Sequence, residues 1–168
     1  MPVSNASPLI HMSRLGKLRF AQTVYSRVFI PVAVRQEAIE AGEKAGFPDV
    51  TGLEKLEKDG WLVTTPLSKA SLGVADLLSE GLGRGEAEAI ALAVEKKELL
   101  FMDDRKGRAA AKLYGVETAT TLGLMLEMRE KEAMGVSEYR RNVKEYASSG
   151  WIGADVVQLY LDRGRALE

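Results

Sequence analysis

The sequence predicts an α/β fold built on a parallel β-sheet, and three observations carry that expectation. Short β-type runs alternate with helical patterns along the chain, the signature of repeated βαβ units. The most apolar short run, Leu99-Leu100-Phe101-Met102, does not alternate polar with apolar residues, which suits a strand covered by helices on both faces. No Pro/Ser-rich linker, charge block or internal repeat divides the 168 residues, and all 5 prolines fall before residue 67 at element boundaries. One domain over 1–168 follows, with 135–168 as a helical C-terminal extension of it.

Taken in order, Pro2 to Asn5 reads as a strand, Ser7 to Ala21 as one helix or two, and Arg27 to Ile30 as the next strand. Pro31 opens a helix at its first position, where its missing N–H costs nothing, and that helix runs to Ala41 before Gly42 and the Gly46-Phe47-Pro48 break. Asp49 to Lys58 is a short helix, Trp61 to Thr64 a strand and Ser68 to Ser79 a helix. Gly81 to Gly85 is a flexible loop, and the alanine-rich Glu86 to Glu95 a good helix former. The strand Leu99 to Met102, a helix from Arg105 to Tyr114 and a strand at Val116 to Ala119 follow. Helices over Leu122 to Glu132, Val136 to Tyr146 and Ala154 to Arg163 close the chain.

Composition narrows the chemistry. With 0 Cys and 1 His, cysteine-type zinc sites, iron–sulfur clusters and thiol nucleophiles are excluded, and any metal must be a hard cation held mostly by oxygen. Lys plus Arg number 23 and Asp plus Glu 24, so a net charge of −1 offers no global basic field to nucleic acid, though a local one is compatible with it. The N-terminus lacks the basic flank and apolar run of a signal peptide, and the expected location is cytoplasmic, with no membrane partner.

In an open parallel sheet, ligands bind outside the carboxyl ends of the strands. Asn5, Asp103-Asp104 and Thr120-Thr121 stand at such ends, while Glu37 and Glu86 lie on the helices after Pro31 and after the glycine loop. Each also has a plain structural use. Asp104 suits the N-cap of the helix from Arg105, Asn5 the N-cap of the helix from Ser7, and Glu86 the positive end of its helix. Glu37 reads equally as a solvated helix residue. Glu88 lies roughly 200° round the helix from Glu86, so the two cannot face one site. Asp103, carried to the strand end on a rigid apolar run, is the hardest to explain structurally. His11 is expected to pack against or cap the first helix. Arg105, Lys106, Arg108 and Lys112 form a basic segment beside Asp103; such a face is commonly just solvated, yet beside a metal site it is what a phosphate backbone needs. The Gly81-x-Gly83-x-Gly85 spacing does not match a dinucleotide fingerprint and serves as an entry to the next helix.

Asn5-Ala6-Ser7-Pro8-Leu9-Ile10 and Ile30-Pro31-Val32-Ala33-Val34-Arg35-Gln36-Glu37 resemble the opening of PIN-domain nucleases. Gly85-Glu86-Ala87-Glu88-Ala89-Ile90-Ala91-Leu92-Ala93 and Met102-Asp103-Asp104-Arg105-Lys106-Gly107-Arg108 continue the resemblance in order, through Thr121-Leu122-Gly123 to the C-terminal helices. The branch it resembles is the one related to VapC toxins. No single motif is specific; four in the right order and spacing are. The resemblance implies a three-layer α/β/α sandwich and an acidic cluster that binds Mg²⁺ or Mn²⁺ to hydrolyse RNA phosphodiesters. Carried over residue by residue, the metal set falls on Asn5, Glu37, Glu86 and Asp103, with Asp104 as a further candidate and Glu88 as the alternative to Glu86. Glu37, Glu86 and Asp103 are the implied catalytic residues. Ser7, Arg84, Glu88, Arg105, Arg108 and Thr121 are the implied supporting or substrate contacts. An antitoxin protein and a homodimer are the implied partners.

Crowded carboxylates raise one another's pKa, so a divalent cation is their natural counter-charge, and all-oxygen ligation favours Mg²⁺ or Mn²⁺. One departure stands out. Most PIN nucleases present Asp where this chain has Asn5, a neutral ligand with one carbonyl oxygen. Three readings follow: a metal-dependent endoribonuclease, a catalytically weakened PIN-fold module that binds RNA or protein, and, third, a small-molecule α/β enzyme using the glycine loop.

Overall fold

The computed structural model describes residues 1–46, 50–148 and 152–167. Five parallel strands, β1 (Val3–Ser4), β2 (Val28–Ile30), β3 (Leu62–Thr64), β4 (Leu100–Phe101) and β5 (Thr118–Ala119), form a sheet of order β3-β2-β1-β4-β5. Strand order reverses between β1 and β4, and a crevice forms at such a switch point. Registers of Val3 with Phe29 and with Leu100 fix the centre of the sheet. The strands are short because only their apolar centres are covered: Val3, Ile30, Leu62 and Leu100 are at most 1% exposed. Covering a strand on both faces removes its whole apolar surface from water, at about 25 cal/mol per Å².

The connecting helices are α1 (Ala6–Arg14), α2 (Leu18–Val24), α3 (Val32–Arg35), α4 (Ala41–Ala45) and α5 (Val50–Lys58), followed by α6 (Lys69–Ser79), α7 (Arg84–Lys96) and α8 (Arg105–Leu113). The chain then forms α9 (Thr121–Glu130), α10 (Val136–Ser148) and α11 (Ala154–Arg165). α1, α2, α5 and α9 touch one another on one side; α6, α7 and α8 run together on the other, with α7 lying against β1 and β4. This is the expected three-layer α/β/α sandwich. α10 and α11 pack on each other and on α9, and Tyr139 of α10, fully buried, donates its hydroxyl to the Tyr160 carbonyl of α11 at 2.7 Å.

Most expected elements appear within a few residues of their anticipated ends, and the differences have local causes. The Phe47-Pro48 break and the Asp49 helix start lie outside the described residues. Pro31 is the N-cap rather than the first helical residue, at φ −73° and ψ 166°. The helix after it contains a π-helical turn over Gln36–Glu40, closed by the Ala41 N–H donating to the Gln36 carbonyl, five residues back. α7 starts at Arg84, inside the stretch expected to be loop, because the Glu86 carboxylate caps the free Gly83 N–H at 3.1 Å.

Candidate active site

Asp103 follows β4 directly. Its Oδ1 accepts the Thr121 backbone N–H at 2.7 Å, and its Oδ2 accepts the Thr121 hydroxyl at 2.7 Å and His11 Nδ1 at 3.1 Å. An ionised carboxylate only accepts, so Nδ1 carries the proton in this contact. Burial alone would raise Asp103, but the hydrogen bonds from His11 and from both Thr121 groups outweigh it and hold the carboxyl below its usual range. Tyr146 of α10 meets the His11 ring edge-on, with centroids 4.9 Å apart. Burial and then the Asp103 charge push its phenol well above the usual tyrosine value.

These residues border an open cleft of about 730 Å³ at the carboxyl end of the sheet. Ser7, Glu86, Asp104, Arg105 and Arg108 line it as well, and Tyr160 and Val156 of α11 form its far side. Five of the sequence-predicted site residues thus share one cavity with Asp103, and Thr121 orients that acid through its N–H and hydroxyl. Asp104 also serves its plain purpose, capping α8 by accepting the Gly107 N–H at 2.6 Å.

A second group of acids gathers where α3 meets α7. Glu37, on the π-helical turn, accepts the Gly85 N–H at 3.1 Å. Gly85 permits this approach: a Cβ there would lie 2.5 Å from both carboxylate oxygens of Glu37. Glu37 is exposed as a residue, yet its carboxyl is raised, first by partial desolvation and then by the negative charges of Glu86 and Glu88, which outweigh the Gly85 hydrogen bond. Glu88 is buried, accepting the Ala33 N–H at 3.2 Å and Arg84 Nε at 2.6 Å. Arg84 also reaches Asp76 at 2.7 Å. The two-residue offset on α7 therefore resolves as geometry requires: Glu86 faces the cleft, and Glu88 faces the start of α3.

Asn5 caps α1, its Oδ1 accepting the Ala6 N–H at 2.7 Å, and is 3% exposed between the two groups. In donor chemistry these residues fit a hard cation, being oxygen ligands with mutually repelling charge beside Glu37. In placement they form two groups: among the described residues no three acidic or imidazole side chains surround one point closely enough to hold an ion. His11, expected to pack or cap, instead contacts Asp103 and corrects that expectation. Tyr146 and Tyr160 were not anticipated at all. Nothing in a single sequence marks a tyrosine 40 or more residues downstream as a neighbour of a strand-end acid, since only tertiary packing of the last two helices brings them there.

A parallel sheet with acids at its switch point is the architecture of an α/β domain whose ligand sits beyond the strand ends. The model of a PIN-domain family matches residues 1–163, and the chain belongs to that family. PIN domains are generally nucleases, hydrolases that act on nucleic acids and commonly use divalent metals. A search of the curated proteins finds no match. Among the described residues, no helix is long and apolar enough to cross a membrane.

Proposed function

We propose that the protein is a metal-dependent endoribonuclease that uses Mg²⁺ or Mn²⁺. The observation that carries this reading is Asp103 at the switch point, kept ionised by donors from His11 and Thr121, beside Glu86 and two arginines. Glu37, Glu86 and Asp103 would hold the cation, with Asn5 and Asp104 as neighbouring oxygen donors. Bound there, it would supply activation of water and neutralisation of charge on the phosphate. The chain's own residues have separate tasks. Thr121 fixes both oxygens of Asp103 in orientation. Arg105 and Arg108, on the cleft wall, offer planar donors that match a phosphodiester. Ser7 adds a hydroxyl at the mouth of α1.

The test is cleavage of single-stranded RNA by the purified protein with Mn²⁺, set beside Asp103→Asn. Loss of cleavage in the variant is expected; unchanged cleavage removes Asp103 from the mechanism. The resemblance to VapC-type toxins extends the proposal to the toxin of a cytoplasmic toxin–antitoxin pair acting as a homodimer. Growth arrest on expression of the wild type but not of Asp103→Asn, and light scattering of the purified chain, test those two extensions.

Asn5 favours a second reading, a PIN-fold module that binds RNA or protein with weakened catalysis. Its one carbonyl oxygen is already engaged by the Ala6 N–H, and the acids lie in two groups. Calorimetry that finds RNA binding but no Mn²⁺ binding selects this reading. Cleavage gained by Asn5→Asp would add to it.

A further inference from the structure

A second groove of about 700 Å³ adjoins the cleft, running between α8 and the start of β5. Arg105 and Arg108 line both cavities, and Lys112 lines the outer one alone. Positions 105, 108 and 112 share one face of α8, spread over about 10 Å of helix axis. Lys106, off this face, is engaged elsewhere, donating to the Gly81 carbonyl at 2.5 Å. Among the described residues none of the three cations forms an ion pair, whereas Arg35 and Arg84 each hold two acids. Arg108 carries the more specific sign. Its Nε is buried and, among the described residues, has no hydrogen-bond partner. A guanidinium N–H left so is an unmet demand for an acceptor, and the groove beside it is where one would come from. Glu117, on the opposite lip, repels an anion from the β5 side and biases it toward α8.

We propose that this face of α8 is a phosphate-binding track that leads a single-stranded nucleic acid out of the cleft: Arg105 and Arg108 hold phosphates nearest the acids, and Lys112 holds one farther out. The assignment rests on the nucleic-acid reading of the cleft. The continuity of the two grooves through shared arginines favours a polyanion with regularly repeated charges over a folded protein partner. Stacking is not required of it, since the described lining of the outer groove contains no aromatic ring.

The test compares binding of oligouridylates of about 4 and about 10 nucleotides by fluorescence anisotropy, without metal, over a series of salt concentrations. In the wild type the longer strand should bind more tightly. Lys112→Ala should lower that gain by roughly three- to tenfold and flatten the salt dependence of the longer strand by about 0.7 in log–log slope, the value for one phosphate contact. Lys58→Ala, at the end of α5, controls for bulk charge and should do neither. If the wild type binds oligouridylate and Lys112→Ala behaves like Lys58→Ala, the track is overturned while the nucleic-acid reading stands. If the wild type binds neither strand, both fall. Binding of a poly-glutamate peptide that depends on Lys112, with oligouridylate binding that does not, reassigns the groove to an acidic protein segment and overturns the proposal.

Discussion

The two acidic groups flanking Asn5 differ in how their charge is met. Asp103 accepts from His11 and from both Thr121 groups and has a lowered pKa; Glu37 accepts the Gly85 backbone N–H, has two like-charged neighbours and a raised one. The first group is already organised by the protein, and its stability is built around a carboxylate. The second is under-compensated and invites a cation. In the proposed metal site one side would be held by the protein and the other completed by the cation.

Replacing Asp103 tests the organised side most severely. Asp103→Asn presents a carboxamide N–H₂ to donors that require acceptors, and cleavage in a Mn²⁺-dependent assay should fall by on the order of 100-fold or more. Unfolding in denaturant should show a loss of about 1–3 kcal/mol from the unsatisfied buried groups. The other side is broken through Gly85. In Gly85→Ala the new methyl meets the Glu37 carboxylate and displaces it, so Mn²⁺ affinity by calorimetry should drop roughly 10- to 100-fold. The colliding atoms are the end of a flexible side chain, so the thermal midpoint should barely move.

Thr121→Val removes the hydroxyl donor to Asp103 while keeping the backbone N–H, and should cost about 1 kcal/mol at neutral pH. The folded pKa of Asp103 is depressed, so its stabilising contribution is present above the unfolded carboxylate pKa and is lost as pH falls through the folded one. The gap between wild type and Thr121→Val should therefore close in acid; a gap that persists there would mean that lost packing, not the charge, is responsible. Glu37→Gln should give the smallest effect, with the opposite sign. The folded pKa of Glu37 is raised, so ionised Glu37 costs stability at neutral pH, and the cost is relieved as pH falls through that pKa. In EDTA the variant should melt slightly above the wild type at neutral pH, by less than about 1 kcal/mol for so exposed a residue, with no advantage in acid.

The sheet was legible because unalternating apolar runs and strand-end acids leave a local trace, and Leu99 to Met102 marks both β4 and the place of Asp103. Capping was equally local: Asn5 and Asp104 cap the helices that follow them, as expected, whereas Ser68 and Thr120, read as a helical residue and a strand-end residue, prove to be caps as well. Spacing also separated Glu86 from Glu88, and the Arg84–Glu88 pair is a four-residue contact within one helix. What stayed illegible depends on distance along the chain. His11 and Tyr146 reach Asp103 only through packing of α1 and α10, and a lone histidine on a helix has no pattern to announce a partner 92 residues away.

The π-helical turn over Gln36–Glu40 holds one residue of slack beneath Glu37. Deleting a single residue from the turn would let the segment relax to an ordinary α-helix with its two ends still in phase, because a five-residue π turn covers about the rotation of four α-helical residues, and only the residues inside the turn would be re-aimed. Ala33 is pinned to Glu88 and Ile39 is sealed in the core, so the segment is held on both sides of Glu37. The aim of Glu37 at Gly85 is therefore a matter of phase: the number of residues between two anchors decides where the carboxylate points.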